Sequence, residues 1–255
     1  MRARYLKQTL FALAMASASF AVNAADYVFS NTASMTIFDN SPASVYPSTI
    51  AVTGVPGTID EVTVTLHGLS HTFVGDMNVI LVSPTGQTIG LVRRPGRNGS
   101  GFGFSSDFSN AEITFSPSAA GAFPNVASIP SGTYLPTGVD TTNSYGPAPA
   151  GPYGTDMYLL NGSGAAQAGT WSLYISDHAG GDTGQLAGGW SITFRATATC
   201  ASQGYTGTKL LWCQNICEKG YTGATLQTWI HRWIRQFRDL PYCAAEGEPE
   251  GPGQT

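Results

Sequence analysis

Charge is scarce in this 255-residue chain: Asp, Glu, Lys and Arg together make up 11% of it, with a formal net charge of −4. Bases are almost missing from the long stretch Asp26 to Ala198, where Arg93, Arg94, Arg97 and Arg195 stand against eleven acids. A net-negative body of this kind excludes nucleic acid as a partner, because phosphate binding needs a basic face. Cysteine is absent from the same stretch. All four cysteines, Cys200, Cys213, Cys217 and Cys243, lie in the last segment. Long apolar runs are also lacking. The longest, Leu10 to Val22, is about a dozen residues, short of the roughly twenty that span a bilayer. It follows Arg2, Arg4 and Lys7 and ends on the small-residue site Val22-Asn23-Ala24, which marks residues 1–24 as a signal peptide and the product as secreted, extracellular or periplasmic. In an exported chain an even set of cysteines implies two disulfides, and three connectivities are open.

What is present is Gly, Pro, Ser and Thr between short β-branched runs, the composition of an all-β protein. A weak strand at Ser34 to Phe38 precedes the stronger runs Thr49 to Thr53, Glu61 to Leu66 and Met77 to Val82. The Ser83-Pro84-Thr85-Gly86 turn pairs Asn78–Val82 with Thr88–Val92 as a hairpin. Arg93 to Ser109 reads as a long loop carrying Phe102, Phe104 and Phe108. A strand resumes at Glu112 to Phe115. Pro117 to Tyr153 is too rich in Pro and Gly for much regular structure, although Tyr134 and Tyr145 are placed to dock on a sheet.

The densest stretch is Gly169 to Phe194. Trp171, Leu173 and Ile175 alternate with Ser172, Tyr174 and Ser176, and Trp190, Ile192 and Phe194 alternate again after an acidic, glycine-rich break. Together they read as a hairpin. Many short strands with close turn signals predict an all-β, antiparallel jelly-roll sandwich over residues 26–198. The strands are too short and irregular for a membrane barrel.

After Thr199 the pattern becomes helical. Gly204-Tyr-Thr-Gly207 and Gly220-Tyr-Thr-Gly223 read as two helix entries. The first helix, Thr208 to Glu218, places Cys213 and Cys217 one turn apart. The second, Thr225 to Leu240, has an apolar stripe of Leu226, Trp229, Ile230, Trp233, Ile234 and Phe237 opposite His231, Arg232, Arg235 and Arg238, and stops at Pro241. Residues 199–243 are therefore expected to form a small disulfide-stapled helical appendage. Its stripe packs within the protein, with contact to a membrane or cell-envelope component as the alternative. Residues 244–255 form an acidic tail expected to be disordered.

Four motifs in order carry a resemblance: His71-Thr-Phe-Val-Gly-Asp76 entering a strand, the Ser83-Pro-Thr-Gly86 turn, Gly169-Thr-Trp171, and Asp177 followed by Gly184-Gln-Leu186 and Trp190. Together they resemble the P domain, or Homo B domain, of subtilisin-like proprotein convertases. The resemblance implies a β jelly roll and an association with serine-type endopeptidases, in which this domain follows the catalytic domain and supports its folding and stability. Here the P-like region starts almost directly after the leader, so the expectation is a P-like unit without the protease. No Gly-Thr-Ser nucleophile turn is present, and Ser70-His71 are neighbours on a strand end, which points them to opposite faces. The expected role is a non-catalytic binding or accessory module. The alternatives are a trans-acting partner or regulator of a subtilisin-like protease, and a carbohydrate- or envelope-binding module built on the loop phenylalanines.

Asp76, Asp177 and Asp182 each sit in a glycine-containing loop and offer hard oxygen ligands, and similar exported P domains are associated with calcium. Ca²⁺ at these three residues is the metal expectation. The other reading of each is a turn cap. His67, His71 and His178 have no zinc spacing and are read as structural.

Overall fold

The computed structural model describes residues 24–96, 103–138, 144–237 and 239–244. The leader up to residue 23, Arg97, Phe102, Arg238 and the tail beyond residue 244 lie outside them. The chain divides into two compact units, Ala24–Thr199 and the segment from Cys200 onward.

In the first unit the strands are β1 (Ala24–Asn31), β2 (Met35–Ile37), β3 (Ser48–Val52), β4 (Thr58–His71), β5 (Met77–Val82), β6 (Thr88–Arg93), β7 (Phe108–Phe115), β8 (Gly132–Tyr134), β9 (Gly162–Ser163), β10 (Gly169–Asp177), β11 (Gly184–Leu186) and β12 (Trp190–Thr197). They build two open sheets. The larger runs β1-β12-β4-β11-β2, with β7, β8 and β9 attached through β4 and β7, and the smaller runs β3-β10-β5-β6. Pairing is antiparallel except for β7 with β8. This is the expected sandwich, and neither sheet closes into a barrel.

The alternation seen in the sequence decides which faces meet. Val62, Val64, Leu66, Ile192, Phe194 and Ile113 from the large sheet and Val79, Leu81, Trp171, Leu173 and Ile175 from the small one are fully buried in a single core. Each buried indole has a partner for its N–H: Trp171 donates to the Gln167 carbonyl at 3.0 Å and Trp190 to Ser48 Oγ at 3.0 Å. Both rings therefore contribute their apolar area without an orphan donor.

Three expectations are corrected. Gly169–Phe194 is not a hairpin, because β10 pairs with β3 and β5 while β12 pairs with β1 and β4, in the other sheet. Alternation specifies a strand and its buried face but not its partner, and the acidic break carries the chain across the sandwich. Two of the three loop phenylalanines are taken up by the core instead of a surface platform, Phe108 on β7 and Phe104 packed against it, while Phe102 lies outside the described residues. Phe123, which the Pro/Gly-rich stretch hid, instead centres a cluster with Phe108, Phe115 and Tyr134 at 5.5, 5.7 and 4.9 Å. The third correction concerns β1, which was not read from the sequence although it pairs along its whole length with β12. Its outward Val28 and inward Phe29 blur the period-2 signal.

The same Pro/Gly-rich stretch wraps the outer face of the small sheet. Gly90 N–H donates to the Gly154 carbonyl at 2.8 Å, Tyr46 Oη donates to the Tyr145 carbonyl at 3.0 Å, and Arg93 lies 4.5 Å over the Tyr153 ring. Tyr174 and Ser176, polar-face residues by pattern, are consequently buried.

The second unit holds α1 (Gly207–Cys217) and α2 (Gly223–Gln236). Both helices begin at the last glycine of the repeated tetrapeptide, each with φ +54°, the left-handed region that glycine enters freely. Disulfides join Cys200 to Cys213 and Cys217 to Cys243. The helix neighbours Cys213 and Cys217 thus tie to segments on opposite sides of α1 in sequence. Leu226 and Trp233 are buried with Ile216 and the cystines, and Trp229, Ile230 and Phe237 pack partly against them, which makes most of the stripe this unit's own core. Ile234 stays 53% exposed. α2 ends at Gln236, earlier than Pro241 suggested, because Phe237 turns extended and the Trp233 indole bonds the Asp239 carbonyl. No helix among the described residues is long and apolar enough to cross a membrane.

Candidate functional site

Two of the motifs, His71–Asp76 and Asp177 with Gly184–Leu186, meet at one end of the sandwich. β4 ends at His71, a single 3₁₀ turn (Val74–Asp76) follows, and β5 leaves from Met77, which pairs with Asp177 at the end of β10. His71 and Asp177 meet there, with Nε2 3.0 Å from Oδ2 and neither side chain exposed. The His71 Nδ1 accepts the Phe73 N–H at 3.2 Å, which turns Nε2 toward the carboxylate. The other oxygen of Asp177 accepts the Asn40 N–H at 3.1 Å and the Ala179 N–H at 2.9 Å. One buried carboxylate therefore joins three chain segments, those of His71, Asn40 and Asp177 itself, and its Oδ1 carries two charge-assisted bonds that offset part of its desolvation.

Asp76 is buried beside it along the chain path, and its carbonyl accepts the His178 N–H at 2.9 Å. Its carboxylate faces Arg94, whose Nη2 is 3.5 Å away. Arg94 also donates through Nε to the Gly75 carbonyl at 3.3 Å. It reaches this position from a left-handed backbone, φ +44°, which costs an L-residue about 1 kcal/mol and persists only where the surroundings fix it. Asp182 is on the exposed side of the loop, where Thr72 Oγ1 donates to it at 2.7 Å.

The glycines of the motifs are where the segments touch. A Cβ on Gly184 would lie 2.2 Å from the Ser70 carbonyl oxygen and 2.7 Å from His71 Cδ2. A Cβ on Gly169, which also has φ +136°, would lie 2.8 Å from Pro84 Cβ. The Gly-Thr-Trp strand start thus seats on the Ser-Pro-Thr-Gly turn, and the Gly-Gln-Leu strand seats on His71. The four motifs thus interlock in two pairs at opposite ends of β5 and β10, His71–Asp76 with Asp177 and Gly184 at one end and Ser83–Gly86 with Gly169 at the other.

As a calcium site the His71–Asp177 end does not fit well. Asp177 gives Oδ1 to two backbone amides and sets Oδ2 3.0 Å from His71 Nε2, Asp76 already faces a guanidinium, and Asp182 bonds a hydroxyl. Among the described residues no group of three or more carboxylate or imidazole ligands comes together; the one cluster of that kind is Cys200, Cys213 and Cys217, whose sulfurs are in disulfides. The histidines likewise sit apart: His67 bonds Glu112 and Ser191, His71 bonds Asp177, and His178 bonds Ser176 Oγ at 3.0 Å and stacks on Tyr145 at 4.5 Å. Ser70, next to His71, accepts the Asn110 N–H at 2.9 Å.

Sequence reasoning missed Arg94 and Asn40 at this end. Arg94 is, with Arg93, one of two buried bases in an acidic body, and Asn40 is a turn residue with no pattern to place it, so neither carried a local signal of its partner.

Comparison with known proteins agrees with the architecture. Residues 59–123, from β4 through β7 and beyond to Phe123, match the model of the proprotein convertase P-domain. The match contains the His71–Asp76 and Ser83–Gly86 motifs; the other two lie outside it and reach it through Asp177 and Gly169. A P-domain by itself is a non-catalytic accessory module. Among solved structures the chain is similar to the serine protease of Aeromonas sobria in complex with the chaperone ORF2, at 17% identity, covering 69% of this chain and 27% of that one, with a TM-score of 0.34. The serine protease of Aeromonas sobria also matches, at 18% identity over 68% of this chain and 26% of that one, with a TM-score of 0.31. The chain thus spans about a quarter of the length of these proteins. No curated protein matches it.

Proposed function

We propose that the protein is a secreted, non-catalytic P-type module that acts as an accessory to a separate subtilisin-like serine protease, supporting its folding or regulating it in trans. The observation that carries this reading is the P-domain match over residues 59–123, together with the locking of the other two motifs onto the matched strands through His71–Asp177 and Pro84–Gly169. A sandwich whose motif residues serve its own architecture suits a domain that stabilises or docks on another one. The acidic body supports a protein partner over a nucleic acid. The signal-like leader supports export, and the disulfides of the second unit suit an oxidising compartment.

The test is to mix the purified full chain with the subtilisin-like protease of the same source and to follow both association and activity. The reading predicts a complex on gel filtration, with changed recovery of active protease after refolding. Two proteins that elute independently, with protease activity and refolding unaltered, would refute it.

A further inference from the structure

An open sheet ends in edge strands, and each edge offers unpaired N–H and C=O groups to any strand that approaches. Here the chain closes most of its edges with its own loops. At the β2 edge the Thr36 N–H donates to Ser44 Oγ at 3.0 Å and the Ser44 N–H donates back to the Thr36 carbonyl at 2.9 Å. At the β6 edge the Gly90 and Arg93 N–H groups donate to the Gly154 and Thr137 carbonyls at 2.8 Å each, and the Thr137 N–H returns to the Leu91 carbonyl at 2.9 Å. On β3 the Thr49 carbonyl accepts Asn31 Nδ2 at 2.9 Å.

β1 is different. One side of it pairs with β12 along all eight residues, and among the described residues no hydrogen bond closes the other side of Ala24–Ser30. The strand also lacks the usual guards of an edge. Ala24-Ala-Asp-Tyr-Val-Phe-Ser-Asn31 holds no Pro and no Lys, its register with β12 is unbroken by a bulge, and its one charge, Asp26, sits opposite Arg195. Tyr27 and Phe29 pack on the core, with the Phe29 ring 5.9 Å from that of Phe194, while Val28 on the outer face is 61% exposed.

We propose that β1 is a dimerisation edge, on which two copies of this chain join β1 to β1, antiparallel, about a twofold axis at Val28, so that their large sheets continue as one. The occupant is a second copy because the strand complements itself in this register. Val28 meets its own counterpart, Tyr27 meets Phe29 of the partner subunit on the core side, and Asp26 meets Ser30 of the partner subunit, so that no like charges face each other. Moving the axis to Tyr27 would set Asp26 against the exposed valine and Phe29 against Ala25, which loses both matches. Each copy has one such edge, so the pairing closes at two and does not run on into a fibre. The dimer is independent of the accessory role, which can fail or stand without it.

The experiment is sedimentation velocity of the purified full chain over a concentration series, with hydrogen exchange of the β1 peptide read at both ends of the series. A monomer–dimer equilibrium is expected, with exchange in β1 slowing as dimer forms and exchange in α2 unchanged. Val28→Lys removes the valine pair and sets like charges at the axis, and it is expected to weaken the dimer about 10-fold. Val28→Glu does the same, and an equimolar mixture of the two variants recovers association because unlike charges then meet. Ser30→Lys, which places a base opposite the partner's Asp26, tightens the dimer and serves where a Val28 variant melts below the wild-type chain. A chain that stays monomeric across the series, a dimer untouched by Val28→Lys in a folded variant, or a dimer in which β1 exchange does not slow overturns the proposal.

Discussion

The two units of this chain reach a fixed structure by different means. Ala24–Thr199 has no cysteine and relies on a large core between two sheets, closed at one end by buried charges. The unit from Cys200 onward has two short helices, a core of a few residues around Trp233, and two disulfides across thirteen- and twenty-six-residue separations. Each disulfide contributes about 3 kcal/mol in the loop-entropy model, on the order of the whole stability a core of that size supplies. Large apolar burial makes covalent staples unnecessary in the first case, and small burial makes them decisive in the second.

Relative to a unit's own stability, the largest effect expected from this difference is on the small unit. Replacing Cys200 and Cys213 with Ser removes about 3 kcal/mol. Circular dichroism at 222 nm should then show the helical signal lost at room temperature, with the strand signal retained. A single Trp190→Ala substitution attacks the other side of the comparison. It empties a core site and removes one of the two donors to Ser48 Oγ, and the stability of the sandwich should fall by about 4 kcal/mol with the helical signal unchanged. Next in size is the buried pair. Asp177→Ala leaves His71 and two backbone amides without their partner at full burial, and denaturant unfolding should report a loss of about 3 kcal/mol.

The smallest effects are ionic. The internal partners of Asp76 and Asp177 predict no change in melting temperature on adding EDTA or Ca²⁺, whereas a calcium site would give a fall with EDTA that Ca²⁺ reverses. At alkaline pH both units should weaken together. Burial raises the pKa of Tyr46 in the sandwich, and burial followed by the nearby Glu218 and Tyr205 raises that of Tyr242 in the helical unit. The unfolded chain therefore ionises first. Stability is intact below the ordinary tyrosine value of about 10 and falls as pH rises from there through the folded values.

The sequence made the fold class legible because period-2 alternation and turn residues are local signals, and the two helices because their glycine entries and the α2 stripe are local too. The four motifs were also readable as motifs. Their purpose was not, since it lies in contacts such as Asp177 with Asn40 and Gly169 with Pro84, which join residues far apart in the chain. The same limit explains the mistaken hairpin: Trp171 and Trp190 are both core-facing strand residues, and nothing local says that they belong to opposite sheets.

Hydrogen exchange followed by mass spectrometry, on one sample with and without reductant, tests the division of labour most directly because it reads both units in the same molecule. Reduction is predicted to abolish protection in α1 and α2 while β4, β10 and β12 stay as protected as before. Loss of protection in those strands on reduction, or helices that remain protected without their disulfides, would contradict it.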